Sequence, residues 1–351
     1  MGMANVLITG GAGYIGSHTA VLLSQEGYDI YIIDNFINSE PSALRAVEKI
    51  ISKCVQFSEV DLTNSEELDA VFSKNSFDAI IHFAGLKSVS ESVGDPLKYY
   101  NNNISSTLNL LNSMCKYNIT KLVFSSSATV YGKCETVPLA EDFPIGQTTN
   151  PYATSKFVQE LILKDVALSN NLNIMALRYF NPVGAHTSGL LGEKPRGIPN
   201  NLCPYILQVL SGKLDRLNVF GDDYETADGS AIRDYIHVVD LAIGHLKAIE
   251  KLLCAESSVS YDAINLGRGV GVSVLEMIKS FESATGRKVP YKIAGRRQGD
   301  LPVSYAATDK ASAELGFQAE RSIEQACLDL WRYQEHLNKT GTSKEQSVRE
   351  K

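Results

Sequence analysis

The stretch VLITGGAGYIGSH, residues 6–18, joins a short β-branched run to a helical stretch through Gly10, Gly13 and Gly16. Glycines at this spacing permit a tight turn and let backbone N–H groups approach a pyrophosphate at the positive end of a helix. A glycine motif alone is weak evidence, but this one has the strand–turn–helix context that dinucleotide binding requires. The stretch therefore predicts the first strand and helix of a dinucleotide-binding fold.

The residues up to 180 extend this pattern, because short apolar runs alternate with helical stretches as in βαβ units. The apolar runs begin at Asn5, Tyr28, Val55, Phe77, Lys121 and Asn173. They show little alternation between polar and apolar residues, as expected of parallel strands covered on both faces. We predict an α/β fold, a Rossmann-type doubly wound parallel sheet with a smaller C-terminal α/β substrate domain.

The composition of the sequence changes after Asn181, where loops rich in Gly and Pro are followed by shorter predicted strands and helices. We predict that residues 1–180 form the dinucleotide-binding domain and that 235–267 pack back on it. Residues 181–234 and 268–338 are predicted to form the substrate domain. The polar residues 339–351 are expected to be a disordered tail.

The composition argues against several classes of function. The formal net charge is −7 and no long basic block occurs, so binding to nucleic acid or to an anionic membrane is not expected. No apolar run reaches membrane-spanning length, and the N-terminus lacks a signal-peptide pattern. The 6 cysteines form no CxxC pair, and the 6 histidines lack the spacing of metal ligands. We therefore expect a cytoplasmic protein without a metal site.

Asp34 closes the second predicted strand, 18 residues after Gly16, where a ribose-binding acid is expected. A carboxylate accepts the two ribose hydroxyl protons of NAD but would repel the additional phosphate of NADP, so we predict NAD. Ligands bind at the carboxyl ends of parallel strands. By that rule, the residues that close the third predicted strand are expected at the adenine (Asp61, Leu62), and those that close the fourth are expected beside the pyrophosphate (Phe83, Ala84, Gly85).

The candidate reacting groups follow the fifth strand, which ends in Ser125, Ser126 and Ser127, while Tyr152 and Lys156 begin the next helix. The spacing alone would also suit an exposed helical turn. A lysine ammonium about 5 Å from the tyrosine would favour the phenolate by roughly 3 kcal/mol, which lowers the tyrosine pKa by about two units. A serine hydroxyl opposite could bind the same substrate oxygen. The set therefore predicts proton and hydride transfer at a carbinol carbon.

This Ser…Tyr-xxx-Lys set behind the glycine loop resembles the extended short-chain dehydrogenase/reductase superfamily. The stretches GGAGYIGSHT, HFAGLKSVSESV, FSSSATVYG, PYATSK, LRYFNPVGAH, GIPNNLCPYI, RDYIHVVDLA and RRQGDLP together resemble the UDP-glucose/UDP-galactose 4-epimerase family, in its order and from residue 5 to about 335. The resemblance implies that Tyr152 takes the proton of the sugar 4-hydroxyl while a tightly held NAD accepts hydride. The 4-keto sugar then rotates to present its other face and accepts the hydride again, so that NAD is regenerated in each turnover.

The resemblance also implies the binding residues. For the cofactor they are Gly10, Gly13, Tyr14, Ile15, Gly16, Asp34, Asn35, Asn38, Ser39, Asp61, Leu62, Phe83, Ala84, Gly85, Lys87, Asn102, Ser125, Tyr152, Lys156 and Phe180. For the UDP-sugar they are Lys87, Ser127, Tyr152, Asn181, Asn200, Asn201, Asn218, Val219, Phe220, Arg233, Arg297, Asp300 and Ser304. Arginines suit the diphosphate because they make bidentate, charge-assisted hydrogen bonds. The resemblance further implies a homodimer, with the helix after Pro96 as a candidate interface.

Ser304 departs from the members of the family that are restricted to glucose and galactose, because those members carry a tyrosine at this position. A serine removes an aromatic ring from the wall near the 2-substituent of the sugar. We therefore expect activity on UDP-GlcNAc and UDP-GalNAc as well as on UDP-glucose and UDP-galactose.

Other functions remain open at this point. A sugar-nucleotide 4,6-dehydratase would need an Asp–Glu pair where this chain has Ala128 and Thr129. A uronate epimerase shares the fold and the cofactor. A simple alcohol dehydrogenase would release reduced cofactor, and a non-catalytic NAD-sensing protein would have little use for Ser127, Tyr152 and Lys156 together.

Overall fold

The structure, a computed structural model, describes residues 4–134, 136–195, 197, 199, 201–254, 259–297 and 300–349, of which 341–349 are described as backbone alone. The first half of the chain contains β1 (Asn5–Thr9), α1 (Tyr14–Gln25), β2 (Asp29–Asp34), α2 (Pro41–Ile51), β3 (Gln56–Glu59), α3 (Ser65–Phe72), β4 (Ala79–His82), α4 (Val89–Gly94), α5 (Pro96–Lys116), β5 (Lys121–Ser127), a 3₁₀ turn (Ala128–Tyr131) and α6 (Pro151–Asn170). The second half contains β6 (Asn173–Tyr179), β7 (Asn181–Val183), α7 (Leu202–Leu210), β8 (Leu217–Phe220), β9 (Ile232–His237), α8 (Val238–Leu253), β10 (Tyr261–Leu266), β11 (Gly271–Ser273), α9 (Val274–Thr285), β12 (Tyr291–Ala294), β13 (Val303–Ser304), α10 (Asp309–Leu315) and α11 (Ile323–Arg349).

The larger sheet has 7 strands in the order β10-β6-β5-β4-β1-β2-β3. All of its neighbouring strands are parallel. The chain runs outward from β1 in one direction through β2 and β3, and then in the other direction from β4. The crevice between β1 and β4 is therefore the switch point at which doubly wound sheets bind ligands. The predicted fold class is confirmed.

Both faces of this sheet are buried, which explains why its strands lack polar alternation. Val6 and Ile8 on β1 pack into one core cluster with α1 and α8, and Leu7 between them packs into the opposite cluster with α3, α5 and α6. All three β1 side chains are completely buried. The sheet is therefore a rigid platform whose carboxyl edge carries the loops.

A smaller sheet forms around β9, which pairs with β7, β11 and β13, while β8 and β12 form a separate parallel pair. Residues of α7, α9 and α11 cover these strands in a third core cluster. The segment 235–267 contributes to both sheets. Its first residues belong to β9 in the smaller sheet, whereas α8 packs on α1 and β10 is an edge strand of the larger sheet.

The fifth strand ends at Ser127 and is followed directly by a 3₁₀ turn. Two local features differ from the sequence-based expectation. The third strand ends at Glu59 and the fourth at His82, so that Asp61, Leu62 and residues 83–85 lie in the loops beyond these strands rather than at their ends. Helical backbone continues to Arg349, where a tail from residue 339 was expected. Among the residues that the structure describes, no helix is long and apolar enough to cross a membrane.

Candidate active site

The glycine loop lies in the crevice between β1 and β4, and its glycines are required by close contacts. Gly10 has a φ of +68°, and a Cβ there would lie 2.6 Å from the backbone nitrogen of Ala84. A Cβ on Gly16 would lie 2.4 Å from the carbonyl oxygen of Gly10. The loop therefore presents bare backbone at the N-terminus of α1, which begins at Tyr14. This cradle fits the pyrophosphate of a dinucleotide.

Asp34 lies at the end of β2, as predicted, and its carboxylate is held by three donors. Oδ2 accepts from the backbone N–H of Ala12 at 3.0 Å, and Oδ1 accepts from the N–H of Phe36 at 2.9 Å and from Ser39 Oγ at 2.7 Å. The carboxylate thus connects the glycine loop to the loop after β2. It keeps free lone pairs for the hydroxyl groups of a ribose, and its negative charge disfavours a phosphate there.

The loop after β3 is joined to the Asp34 loop by a hydrogen bond from Asn35 Nδ2 to Asp61 Oδ2, 3.2 Å long. Asp61 also accepts from the backbone and the hydroxyl of Thr63 at 2.8 and 2.7 Å. The structure therefore brings Asn35 and Asp61 together on the side of the crevice where adenine was predicted. Leu62, the residue after Asp61 in the chain, is buried.

Asn103 supports the loop after β4 and was missed by the sequence analysis, which singled out the neighbouring Asn102. The Asn103 side chain is completely buried, and Oδ1 accepts from Leu86 N at 2.7 Å while Nδ2 donates to Leu86 O and Ser155 Oγ, both at 3.0 Å. It therefore fixes the loop that contains Gly85 against α6. Asn102 is half-buried on the same helix.

Ser127 closes β5 and begins the 3₁₀ turn, which fixes the direction of its hydroxyl group. Its Oγ accepts from the backbone N–H of Thr129 at 3.3 Å and from Thr129 Oγ1 at 2.9 Å. The Ser127 hydroxyl is also close enough to the Tyr152 side chain to act on the tyrosine pKa, which it lowers. Thr129 carried no signal in the sequence beyond its place after the serines.

Tyr152 and Lys156 lie one turn apart at the start of α6, which Asn150 caps by accepting from Ala153 N at 2.9 Å. Lys156 is buried, and its Nζ donates to the carbonyl oxygen of Ser125 at 2.7 Å. The same Nζ lies 4.7 Å from the centre of the Phe124 ring. The structure therefore brings the predicted serine, tyrosine and lysine together at the end of β5.

The electrostatics of this set differ from the sequence-based expectation. Burial raises the pKa of Tyr152, and the nearby Ser127 hydroxyl and the charge of Lys87 oppose this shift. Burial lowers the pKa of Lys156 to about 7, and the nearby Glu160 opposes this shift. The predicted lowering of the tyrosine pKa by the lysine is therefore wrong, because burial outweighs the groups that lower it and Lys156 is not one of those groups.

Lys87 and Glu193 connect the two parts of the molecule across the crevice. Their Nζ and Oε1 atoms are 2.8 Å apart, and the lysine Nζ lies 6.0 Å from the centre of the Tyr14 ring. The Tyr14 hydroxyl donates to the carbonyl oxygen of Gly184 at 2.6 Å. The loop after β7 is thus held against the glycine loop, in a contact that the sequence did not indicate.

The predicted nucleotide-binding residues of the smaller domain form a polar and aromatic group on β8, β9 and the loop before β13. Arg233 donates to Asp300 Oδ1 at 2.5 Å, and the guanidinium carbon of Arg297 lies 4.1 Å from the centre of the Phe220 ring. Asn218 Oδ1 is buried without a hydrogen-bond partner among the described residues, as expected of a group that awaits a ligand. Tyr224, which the sequence analysis missed, lies close enough to Arg233 and Asp300 for their charges to act on its pKa.

The remaining predicted residues are placed as follows. Asn181 Nδ2 donates to Asp234 O at 3.0 Å, and the carbonyl of Ser125 accepts from Lys156. Asn201 occupies the N-cap position of α7 without a hydrogen bond from its side chain to the helix. Val219 and Phe180 are buried, Ile15 and Phe220 are half-buried, and Asn38 is exposed. Ser304 on β13 pairs with Arg233 on β9, so it lies on the strand beside that arginine. Asn200 lies outside the described residues.

Comparison with known proteins gives consistent matches along the chain. The family model described as the NAD dependent epimerase/dehydratase family matches residues 6–267. The UDP-glucose 4-epimerase of Bacillus subtilis is 54% identical over 330 residues, which cover 94% of this chain and 96% of that protein.

Two solved structures extend the match to the fold. The UDP-glucose 4-epimerase of Bifidobacterium longum, in complex with NAD+ and UDP, has a TM-score of 0.90 and 49% identity and covers 95% of this chain and 98% of its own. The UDP-glucose 4-epimerase of Stenotrophomonas maltophila, with bound NAD and formylated UDP-arabinopyranose, has a TM-score of 0.93 and 44% identity and covers 96% and 99%.

Proposed function

The chain belongs to the NAD-dependent epimerase/dehydratase family, and we propose that it is a UDP-hexose 4-epimerase that interconverts UDP-glucose and UDP-galactose. NAD is the cofactor of the family. The observation that carries the proposal is the placement of Ser127 at the end of β5 beside Tyr152 and Lys156 at the start of α6, at the edge of the sheet that also holds the glycine loop. The names of the related proteins support the same activity.

The residues of the chain divide the chemistry between them. Tyr152 takes the proton of the sugar 4-hydroxyl, and Ser127 donates a hydrogen bond to the same oxygen as its charge develops. Bound NAD supplies a hydride acceptor, and later a hydride donor, for carbon 4. Inversion at carbon 4 requires that the keto sugar present its opposite face to the cofactor, while Tyr152 returns its proton to the 4-oxygen.

Inversion requires that the nucleotide is held while the sugar turns. We propose that the residues around Arg233, Arg297 and Phe220 bind the nucleotide, because a guanidinium next to an aromatic ring can bind both a phosphate and a planar base. In the structure Arg233 is paired with Asp300, so a diphosphate would have to compete for or share this arginine. The division of the chain into a cofactor part and a UDP-sugar part at residues 181–234 and 268–338 belongs to this proposal.

The dehydratase alternative is disfavoured by the residues after Ser127. Elimination of water across carbons 5 and 6 needs an acid and a base there, and Ala128 and Thr129 provide neither. Thr129 is instead engaged with Ser127. An epimerase needs no further acid at that position.

We also propose that the enzyme accepts UDP-GlcNAc and UDP-GalNAc. The support is Ser304, a small and half-buried residue on the strand next to Arg233. A small side chain leaves room for the 2-acetamido group beside the proposed nucleotide-binding residues.

A cytoplasmic homodimer completes the proposal. Four leucines on the neighbouring helices α5 and α6 are exposed: Leu97 by 70%, Leu108 by 42%, Leu161 by 46% and Leu168 by 69%. The two helices pack against each other, so a second copy could cover both at once.

The proposal is tested with Tyr152→Phe beside the wild type. We expect the wild type to convert UDP-galactose into UDP-glucose, and the variant to bind NAD and the UDP-sugar while turnover falls by about 10²–10⁴-fold. A wild-type protein that binds both molecules without converting either would contradict the proposal and favour an NAD-sensing role.

A further inference from the structure

We infer that Glu160, held by Arg178, is a positioning residue for the reaction: the pair fixes the strand and the helix that carry Ser127, Tyr152 and Lys156, and places a negative charge one helical turn behind Lys156. The inference rests on the proposed function, since it concerns the same proton transfer.

The pair is buried and fully engaged. Glu160 is 2% exposed and Arg178 is 4% exposed. Arg178 binds the carboxylate with two nitrogens, Nε to Oε1 at 3.1 Å and NH2 to Oε2 at 2.8 Å. Such a bidentate pair has a defined geometry as well as a strong attraction. It therefore fixes the position of α6 relative to β6.

Glu160 also contacts β5 directly. Its Oε1 accepts from the hydroxyl of Ser126, and its Oε2 accepts from Tyr261 on β10 at 3.2 Å. Ser126 points to the opposite face of β5 from Ser125 and Ser127, because successive side chains alternate along a strand. One carboxylate thus joins the helix that carries Tyr152 to the strand that ends in Ser127.

Arg178 connects the same pair to the 3₁₀ turn that follows Ser127. Its NH1 donates to the Tyr131 hydroxyl at 3.0 Å, and that hydroxyl donates to Asn265 Oδ1 at 2.7 Å. Tyr131 is the last residue of the turn that Ser127 begins. The ion pair is therefore in contact with each of the three segments that position the reacting side chains.

The charge of Glu160 acts on Lys156, four residues earlier on α6. Burial lowers the pKa of Lys156 to about 7, and the Glu160 carboxylate opposes that shift. His82 faces Lys156 from β4, but burial lowers its pKa to about 3, so it adds no charge near neutral pH. Tyr152 on α6 and Tyr179 on β6 have raised pKa values and are neutral near pH 7. Arg178 and Lys87 are positively charged at that pH. Among the described residues around Lys156, Glu160 is thus the charged group that favours the ammonium, and the Ser125 carbonyl adds a hydrogen bond from Nζ.

The test compares Glu160→Gln with Glu160→Gln/Arg178→Gln, and uses Asp240→Asn as the matched control. Asp240 is another buried carboxylate in an ion pair, with Arg321, and lies on α8 outside the proposed site. The pH dependence of kcat is measured on NAD-loaded protein. The pKa of Lys156 is read independently from the NMR titration of lysine-labelled protein, with the resonance assigned by its loss in Lys156→Met.

In Glu160→Gln we expect the alkaline limb of the kcat profile and the lysine titration to move to lower pH by about one unit, a tenfold change in the equilibrium constant. The shift should be smaller in the double variant, because the unpaired arginine charge is also removed and a buried pair tolerates joint replacement. Asp240→Asn should leave both readouts unchanged.

The inference is overturned if Lys156 has the same pKa in folded Glu160→Gln as in the wild type. If Glu160→Gln does not fold, the same comparison is made with the folded double variant. Failure of the proposed function would look different. The wild type would then lack epimerase activity, and the NMR titration would still decide whether Glu160 acts on Lys156.

Discussion

Ser127 Oγ accepts two hydrogen bonds from one residue, Thr129, through its backbone N–H at 3.3 Å and its hydroxyl at 2.9 Å. A serine oxygen has two acceptor positions and one donor hydrogen. With both acceptor positions used, the hydroxyl hydrogen of Ser127 is left to be donated to Tyr152 or to a substrate oxygen. Thr129 thereby orients the Ser127 hydroxyl as a donor for the proposed reaction.

Replacing Thr129 with valine tests this relationship, because valine keeps the shape and the backbone donor but removes the hydroxyl. We expect kcat to fall about tenfold with KM little changed, which corresponds to the loss of one hydrogen bond of about 1.4 kcal/mol in the transition state. Thr129→Ser retains a hydroxyl and should keep most of the activity. Equal kcat values for valine and threonine would show that the hydroxyl does not orient Ser127.

Gly16→Ala tests the glycine loop. The added Cβ would lie 2.4 Å from the Gly10 carbonyl oxygen, and the backbone on that side cannot give way easily. We expect loss of bound NAD and a decrease of about 1–3 kcal/mol in the free energy of unfolding. NAD content after purification and urea unfolding measure the two effects.

Gly94→Ala is the control for this substitution, since a Cβ there meets nothing within 4 Å. Gly94 is exposed at the end of α4. It should leave NAD content unchanged. If Gly16→Ala retained its NAD as well, the close approach of the loop to α1 would not matter for the cofactor.

Ser304→Tyr tests the substrate range. A tyrosine on β13 would project an aromatic ring beside the strand of Arg233, in the space assigned to the 2-acetamido group. We expect kcat/KM for UDP-GlcNAc to fall by about tenfold or more, and kcat/KM for UDP-galactose to change little. Ser304→Ala, which keeps the space, should behave as the wild type. A wild type inactive on acetylated sugars would refute the wider range at once.

Buried histidines predict how stability depends on pH. Burial lowers the pKa of His18 and of His82 to about 3, below the value of 6.5 in the unfolded chain. The unfolded chain therefore binds more protons between these values, so that stability is present above pH 6.5 and decreases as the pH falls.

His82→Gln measures one part of this dependence. His82 lies between Thr9 and Thr107, with its ring nitrogens 2.7 and 3.0 Å from their hydroxyl oxygens, and glutamine can form similar hydrogen bonds. Below pH 6.5 we expect the slope of the unfolding free energy against pH to decrease by about 1.4 kcal/mol per unit relative to the wild type. Parallel slopes for both proteins in urea titrations would mean that His82 is protonated in the folded state.

The sequence predicted the larger sheet well because its signals are local. The strand-to-glycine-to-helix order at Gly10 and the acid at Asp34 each reflect a contact within one βα unit. The set of Ser127, Tyr152 and Lys156 was predicted for the same reason, since residues at the carboxyl ends of parallel strands meet at one edge.

The parts that the sequence did not predict depend on contacts between distant residues. Asn103 lies in none of the quoted stretches, and Arg178 lies in LRYFNPVGAH without a role that the sequence indicated. Their importance follows from the Asn103–Ser155 and Arg178–Glu160 contacts. The predicted direction of the Tyr152 pKa shift was also wrong, because the prediction considered the charge of Lys156 and not the burial that raises the tyrosine pKa.

The central claim is that carbon 4 of a UDP-sugar loses hydride and regains it within one turnover. The most direct measurement follows UDP-galactose deuterated at carbon 4, incubated with the purified protein in ordinary water. We predict UDP-glucose that retains the deuterium at carbon 4, with no accumulation of NADH. Stoichiometric NADH, or a product that has exchanged its deuterium for solvent hydrogen, would contradict the account.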